Sequence, residues 1–245
     1  MVHPNSSVWQ KALPDAPTHS CHSVRRFGVN PFSGAIECLR LALEFHLLFF
    51  QSTAHTMLEI KDLTHSPIQH LNHTWPAGVS WICGDEGTGK TTLLRLLAGA
   101  MTPTTGSVTV PAGGVFWADL QSPAHDHTTV QACWDALRES HPNWNEALQN
   151  DLTQALDMHP HRDKRLSMLS TGSRRKVMVI AALASGATVT LLDQPFGGLD
   201  LASIRVIKDF LREAADHPHR AWLVADYEAP NDLRLASLLC LDPAT

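Results

Sequence analysis

The sequence predicts an α/β protein whose sheet is mainly parallel and is flanked by helices. Three observations support this fold class. Short apolar runs typical of buried strands recur along the chain, helical stretches separate them, and a glycine-rich turn joins one strand to the helix after it. Parallel neighbours need a crossover connection, which is usually a helix, so strands that alternate with helices favour parallel pairing.

Length, composition and charge favour an ordinary globular protein. The chain has 245 residues, of which 44% are hydrophobic and 18% are charged, and its formal net charge is −5. That length suits one large domain or two small ones. This negative net charge does not indicate a basic face or stripe, so we expect no nucleic-acid partner.

The cysteines and histidines do not indicate a disulfide framework or a metal centre. The five cysteines are scattered, with no C-x-x-C pair, which predicts free thiols in a reducing compartment. The histidine clusters at 125–127, 159–161 and 217–219 lie in polar or proline-containing loops without a second ligand pair at helical spacing. A closed metal site needs four converging ligands, so none is expected there.

Residues 1–56 differ in character from the rest of the chain. The first thirty-four are rich in Pro, Ser and His and lack apolar periodicity, which predicts a disordered arm. Residues 35–50 are too short and too charged for a membrane span and indicate an amphipathic helix docked on the core or on a partner. Two interpretations stay open: an N-terminal extension, or translated sequence upstream of a natural start at Met57. In both, the folded domain is expected at 57–245.

From Met57 onward, strand and helix patterns alternate. Strands are predicted near 57–65, 78–83, 107–110, 114–118, 187–193, 220–226 and 234–241. Helices are predicted at 91–100, 130–140, 144–158 and 201–215. A helical insertion is expected at about 122–170.

The stretch "GDEGTGKTT" at 84–92 matches the phosphate-binding pattern G-x-x-x-x-G-K-[ST] in full. It follows a predicted strand and precedes a predicted helix, which is the context that the pattern requires. Lys90 can reach the β- and γ-phosphates of a nucleotide, and the Thr91 hydroxyl can ligate Mg²⁺. The sequence therefore predicts a P-loop NTPase. The predicted nucleotide-binding residues are Gly84, Asp85, Glu86, Gly87, Thr88, Gly89, Lys90, Thr91 and Thr92.

A second motif distinguishes among the P-loop classes. The stretch "LSTGSRRKV" at 169–177 resembles the LSGGQ signature of ATP-binding cassette (ABC) proteins, with Thr171 for the first Gly and Ser173 for Gln. The resemblance covers residues 57–245. It implies ATP as the nucleotide and a small helical signature subdomain, which would include the insertion at about 122–170.

In ABC proteins the signature acts on the other subunit of a head-to-tail dimer. Its Ser and Gly touch the γ-phosphate held by the partner, and the resemblance gives these roles to Ser170, Gly172 and Ser173. Ser170 also fits the N-cap of the helix that follows, which is a purely structural role.

The resemblance assigns further residues one by one. Gln121 resembles the Q-loop glutamine, which ligates Mg²⁺ together with Thr91 and faces the transport subunit. Asp193 matches the Walker B aspartate, which is positioned through water on Mg²⁺. Asp200 in "GGLD" resembles the D-loop aspartate at the dimer seam, and His65 falls near the adenine-stacking aromatic residue.

Two departures affect the catalytic positions. Gln194 stands where ABC proteins have their general-base Glu, and Asp226 stands where they have the switch-loop His. An amide can orient water but cannot take up a proton, and a base is typically worth ~10²–10⁴ in rate. A carboxylate at position 226 would repel the γ-phosphate. Both changes predict an ABC-type ATPase that hydrolyses ATP slowly.

Two functions are consistent with these residues. The resemblance implies the ATP-binding subunit of an ABC transporter, of small bacterial export type, on the cytoplasmic face of the cell membrane. Its partners would be a transmembrane permease subunit and a second ATPase, as a homodimer or a heterodimer. The alternative is a non-catalytic nucleotide-binding partner whose signature completes the site of another ABC ATPase. A kinase or GTPase does not explain the signature, and the guanine motif N-K-x-D is missing from the sequence.

Overall fold

A computed structural model describes residues 56–120 and 122–241 of the chain. The predicted N-terminal extension, with the helix expected at 35–50, and the predicted ligand Gln121 lie outside the described residues. Within the described ranges, no helix is both long enough and apolar enough to cross a membrane.

The described residues form eight strands and five α-helices. The strands are β1 (Thr56–His65), β2 (Ile68–Pro76), β3 (Gly78–Cys83), β4 (Thr105–Thr109), β5 (Val115–Phe116), β6 (Val189–Asp193), β7 (Ala221–Ala225) and β8 (Ser237–Cys240). The α-helices are α1 (Lys90–Leu97), α2 (Val130–Glu139), α3 (Glu146–Ala155), α4 (Thr171–Ala184) and α5 (Leu201–Ala214). Single turns of 3-10 helix lie at Pro123–His125, His159–His161 and Leu166–Met168.

The larger sheet has five strands in the order β5-β6-β7-β3-β8, and every neighbouring pair is parallel. This confirms the predicted fold class. Its register pairs Asp193 with Ala225, and Ala225 with Ile82, so the carboxyl ends of β6, β7 and β3 meet at one edge. Loops that follow these three strands are therefore neighbours, although the loop after β3 lies more than a hundred residues before the other two in the sequence.

A smaller antiparallel sheet has the order β2-β1-β4. The sequence patterns did not predict β2, since its segment "IQHLNHTWP" is largely polar and only Ile68 and Trp75 are buried in it. β4 belongs to this sheet and not to the parallel one. β2 and β4 each pair with β1, which has four buried residues, and this pairing explains how two strands with few buried residues of their own are kept in the fold.

Helix α1 packs with both sheets in one apolar core. Leu93 and Leu94 of α1 are fully buried, in the same cluster as Leu58 of the small sheet and Leu223 of the parallel sheet. Fully burying one such side chain contributes about 1.5–3 kcal/mol. This packing fixes the start of α1 at Lys90, and with it the glycine-rich loop, against the sheet edge.

Residues 122–170 contain α2, α3 and the three 3-10 turns. Trp134 of α2 is buried, and its indole N–H donates to a backbone carbonyl of α4 at 3.0 Å. The Asn145 side chain caps α3, so this helix begins at Glu146, two residues later than predicted. The segment thereby packs on the helix that carries the signature.

The structure contradicts the expectation that all cysteines are free thiols. Cys83, at the end of β3, and Cys240, at the end of β8, form a disulfide with their Cα atoms 4.6 Å apart. They are separated by 157 positions, and no sequence pattern points to their pairing. Cys133 is a buried free thiol, and burial raises its pKa to about 11.

A chain that begins at Met57 is expected to fold and to bind nucleotide as the full chain does. Met57 and Leu58 are the first described residues that enter the core. Thermal melting by circular dichroism and calorimetric titration with ATP, applied to both chains, measure this expectation.

The control for that truncation is Leu58→Ala in the shortened chain. Leu58 is fully buried, so its removal should lower the free energy of unfolding by about 2–5 kcal/mol, which shows that the assay detects core loss. An insoluble shortened chain beside a stable full chain would mean that residues 1–56 contribute to the fold.

Candidate active site

The predicted P-loop joins the end of β3 to the start of α1. The buried Thr88 donates its hydroxyl to the carbonyl of Asp85 at 2.9 Å, which closes the loop on itself. Gly89 has φ 98°, in the left-handed region, and a Cβ there would lie 3.0 Å from Pro67. The turn between β1 and β2 thus rests directly on the loop. The exposed residues of the loop are Asp85, Glu86 and Gly87.

Lys90 holds its ammonium group inside the loop. Its Nζ donates to the carbonyls of Gly84 at 2.5 Å and Asp85 at 2.7 Å, and lies 4.8 Å from the centre of the Tyr227 ring. These partners carry no charge, so a phosphate can replace them with a stronger charge-assisted bond. Tyr227 is a site residue that the sequence analysis missed, because it gains this position only through the pairing of β7 with β3.

Thr91 and Asp193, two of the predicted Mg²⁺ ligands, contact each other. The Thr91 hydroxyl donates to Oδ2 of Asp193 at 2.6 Å, while Oδ1 of Asp193 is buried without a hydrogen-bond partner among the described residues. Burial raises the pKa of Asp193, and the Thr91 hydrogen bond and the Lys90 charge oppose the rise. A hydroxyl and a carboxylate with one unpaired oxygen are ligands that suit Mg²⁺. Thr92 follows on α1 and is half-buried.

Gln194 lies on the wall of a cleft beside Asp193. The cleft has a volume of about 400 Å³, and Thr91, Arg175 and Trp117 also line it. The Gln194 backbone has φ 44°, which is uncommon for a residue other than Gly, and its N–H donates to the carbonyl of Ala225 at 2.8 Å. The amide side chain therefore borders the space next to the expected metal ligands, where a water molecule could be oriented.

Asp226 lies at the same edge, directly after β7. Its backbone N–H donates to the carbonyl of Ile82 at 3.0 Å, and its Oδ1 accepts from the backbone N–H of Tyr227 at 2.8 Å. One carboxylate oxygen is thus engaged within its own loop. The structure brings Lys90, Asp193 and Asp226 to one sheet edge through three neighbouring strands.

The signature residues occupy the start of α4. Ser170 caps this helix, because its Oγ accepts from the backbone N–H of Ser173 at 3.1 Å. A Cβ at Gly172 would lie 2.3 Å from the carbonyl oxygen of Gly198, so only glycine fits there. In the described part of the chain, no hydrogen bond joins these residues to the P-loop. The structural role of Ser170 as the N-cap of α4 is therefore met within the chain.

Asp200 connects the signature helix to α5. It caps α5 through the Ser203 N–H at 2.8 Å, and its Oδ2 lies 3.0 Å from Nζ of Lys176 on α4. The hydrogen bonds from Ser203 and Lys176 hold the pKa of Asp200 well below its usual range. These hydrogen bonds fix the Asp200 carboxylate between α4 and α5; its place at a dimer seam remains a prediction.

Arg174 is the second site residue that the sequence analysis missed. Its guanidinium donates to the carbonyl of Leu120, to the carbonyl of Ser122 at 2.9 Å, and to Asp126 at 2.6 Å. The side chain is only 12% exposed. These bonds hold both neighbours of Gln121 against the signature helix. The position of Arg174, directly after the signature, was the only signal in the sequence.

His65, the residue predicted to stack on adenine, lies at the end of β1. The turn after it rests on Gly89 through Pro67 and Ile68. The His65 Nδ1 is buried with no hydrogen-bond partner among residues 56–120 and 122–241. In these same ranges, no three His, Cys, Asp or Glu side chains converge as a metal site.

Comparison with known proteins places this geometry in one family. A family model described as ABC transporter matches residues 68–197, more than half of the chain. A cytochrome c biogenesis ATP-binding export protein of Zymomonas mobilis is 36% identical over 146 residues, covering 58% of this chain and 63% of the relative. A sulfate/thiosulfate import ATP-binding protein of Mycobacterium bovis is 26% identical over 188 residues, covering 71% and 54%.

One further relative is similar in sequence, and one solved structure is similar in fold. An ABC transporter ATP-binding/permease protein of Mycobacterium tuberculosis is 33% identical over 160 residues, covering 58% of this chain but 18% of the relative. An ABC transporter ATP-binding protein from Pyrococcus furiosus matches the fold with a TM-score of 0.60 and 22% identity, covering 75% of this chain and 96% of that chain. The chain thus spans less than two thirds of the length of these curated relatives.

Proposed function

The chain belongs to the ABC transporter family, and we propose that it is the ATP-binding subunit of a transporter whose membrane permease is a separate chain. In this proposal two ATP-binding domains pair head to tail with ATP and Mg²⁺ between them, and their closure drives the permease. One observation carries the proposal: Lys90, Thr91, Asp193 and Gln194 converge at one sheet edge in a domain that also presents a capped signature helix.

ATP binding rests on the P-loop. The Lys90 ammonium, which is held by two carbonyls, would exchange them for the β- and γ-phosphates. Thr91 and Asp193 would hold Mg²⁺, with the unpaired Oδ1 of Asp193 facing its hydration shell. When bound, Mg²⁺ supplies positive charge that offsets the charge developing on the transferred phosphoryl group.

Hydrolysis in this proposal is slow. Gln194 borders the cleft beside Asp193, and its amide can orient water but cannot accept the proton that a general base removes. Asp226 adds a carboxylate at the same edge, with one oxygen engaged by the Tyr227 N–H. Orientation without a base is a known arrangement, since small GTPases use a glutamine in this way at rates of about 10⁻⁴ per second.

The two substituted positions also favour a second candidate function. In it, the chain binds ATP without hydrolysing it, while Ser170 and Gly172 complete the site of another ABC ATPase. The cap at Ser170 and the close contact of Gly172 with Gly198 give that surface a fixed shape. Relatives named for export and for import both match, so similarity does not select a direction of transport.

The expected permease partner binds the surface around Gln121 and residues 122–170, on the cytoplasmic face of the membrane. Purification of the full chain from detergent-solubilised membranes should recover a permease with it. Recovery of the chain only as a free protein, under conditions that preserve such complexes, would contradict the transporter proposal.

Arg174→Ala tests whether the segment that Arg174 holds is part of the permease-binding surface. The change removes the bonds that hold the segment from Leu120 to Asp126 against α4, so permease recovery should fall several-fold while ATP binding persists. Arg205→Ala, at an exposed position on α5, is the matched control and should leave recovery unchanged. Equal recovery by both variants would remove the Arg174 segment from the docking surface.

A further inference from the structure

Cys83 and Cys240 occupy directly paired positions on two parallel strands. β3 and β8 are neighbours in the sheet, and their register places these residues opposite each other with Cα atoms 4.6 Å apart. This separation lies within the range of about 4.4–6.8 Å that a disulfide requires. We propose that the pair is a reversible thiol–disulfide site that fastens β8 beside the P-loop and responds to small disulfides and thiols.

The pair lies directly beside the nucleotide site. Cys83 precedes Gly84, the first residue of the P-loop, and Leu241 follows Cys240. The Leu241 N–H donates to the carbonyl of Cys83 at 2.8 Å, and a Cβ at Gly84 would lie only 2.7 Å from the Leu241 carbonyl oxygen. Leu241, directly after β8, therefore packs against the first residues of the P-loop. The disulfide fixes the end of β8 in this position.

The two cysteine residues differ in exposure to solvent. Cys240 is exposed and Cys83 is buried in the sheet, so an external reagent meets Cys240 first. Cys133, the other described cysteine, is buried in α2, and burial raises its pKa to about 11. Thiolates and not thiols attack disulfides, so Cys133 does not compete near neutral pH.

The chemistry is two successive exchanges with a small disulfide such as oxidised glutathione. The Cys240 thiolate attacks one sulfur of glutathione disulfide, which forms a mixed disulfide and releases one glutathione thiolate. The Cys83 thiolate then attacks the Cys240 sulfur and releases the second glutathione thiolate. The two protein thiols are oxidised, glutathione disulfide is reduced to two thiols, and these receive the two protons that the cysteines lose. Excess thiol reverses both steps.

The consequence is a redox-dependent stability. The bond closes a loop of 157 residues, which restricts the unfolded chain far more than a short loop would. The oxidised protein should therefore melt higher than the reduced protein by about 5 °C or more.

The test uses the full chain with Cys21→Ser and Cys38→Ser, so that only the three described cysteines remain. The protein is equilibrated with oxidised or with reduced glutathione. Free thiols are then counted after denaturation, linked peptides are identified by mass spectrometry, and melting is followed by circular dichroism. After oxidation we expect one free thiol, a peptide that joins positions 83 and 240, and the higher melting temperature.

Two variants make the result decisive. Cys240→Ser should abolish the linked peptide and the melting shift, while Cys133→Ser should leave both unchanged. Three free thiols after oxidation, glutathione retained on Cys240 without a bond to Cys83, or equal melting of the two redox forms would overturn the proposal. None of these measurements involves ATP, so their outcome is independent of the proposed transport function.

Discussion

Lys90→Ala is expected to weaken the binding of Mg²⁺·ATP about 10- to 150-fold. The change removes a charge-assisted contact to phosphate, and such contacts are worth about 1.5–3 kcal/mol. The ammonium group is already poised at the loop, 2.5 Å from the Gly84 carbonyl and 2.7 Å from the Asp85 carbonyl. It therefore lies close to the phosphate position, and the affinity should report the gain from exchanging these two carbonyls for phosphate oxygens.

Isothermal titration calorimetry with ATP and Mg²⁺ measures this effect. Lys208→Ala is the matched control, since it also removes a lysine, but from a surface ion pair with Asp232 of the kind worth at most about 1 kcal/mol. A melting curve for each variant separates lost affinity from a disturbed P-loop. Equal affinities of Lys90→Ala and the unaltered chain would exclude Lys90 from the nucleotide site.

The parts of the fold that the sequence predicted are those with strong local signals. Apolar runs such as that of β6 are buried on both faces, so composition alone identifies them as strands of a parallel sheet. The P-loop is similarly local, because glycines, Lys90 and Thr91 stand at fixed spacing between a strand and a helix. Fold class and phosphate site were therefore predictable.

The parts that were missed depend on contacts between distant positions. β2 is largely polar and is held by pairing with β1, which its own sequence does not reveal. Tyr227 reaches Lys90, and Cys240 reaches Cys83, only because β7 and β8 flank β3 in the sheet. Strand order is set by packing of the whole domain, so no window of sequence encodes these pairs.

Arg174 illustrates the same limit within a recognised motif. Its neighbours identify the signature, yet its own role is to bond the backbone of a segment about fifty residues earlier in the chain. Every residue has a backbone carbonyl, so a contact with one does not depend on the side chain at that position. Motif analysis therefore cannot predict a residue whose role is to bind such carbonyls. The same holds for the contact of Gly172 with the Gly198 carbonyl.

Gln194→Glu is expected to raise the rate of ATP hydrolysis at least about tenfold, but by less than the ~10²–10⁴ that a general base typically supplies. The two side chains have nearly the same shape, so the backbone at φ 44° and the bond from its N–H to the Ala225 carbonyl should persist. The gain is incomplete because Asp226 keeps a carboxylate at the same sheet edge. Gln194→Ala removes the water-orienting amide without adding a base and should lower the rate.

Adding Asp226→His to Gln194→Glu should raise the rate by more than the two single changes together. Both groups act on one water and one phosphate, so their effects are coupled and not additive. The measurement is phosphate release by the purified chain, alone and with a candidate ATPase partner.

In a homodimer both sites carry Gln194 and Asp226, so both variants act on every site. In a pair with an ATPase that has Glu and His, one site already turns over and the gain is smaller. Fast hydrolysis by the unaltered chain alone, abolished by Lys90→Ala, would mean that another residue supplies the base and that Gln194 does not limit the rate.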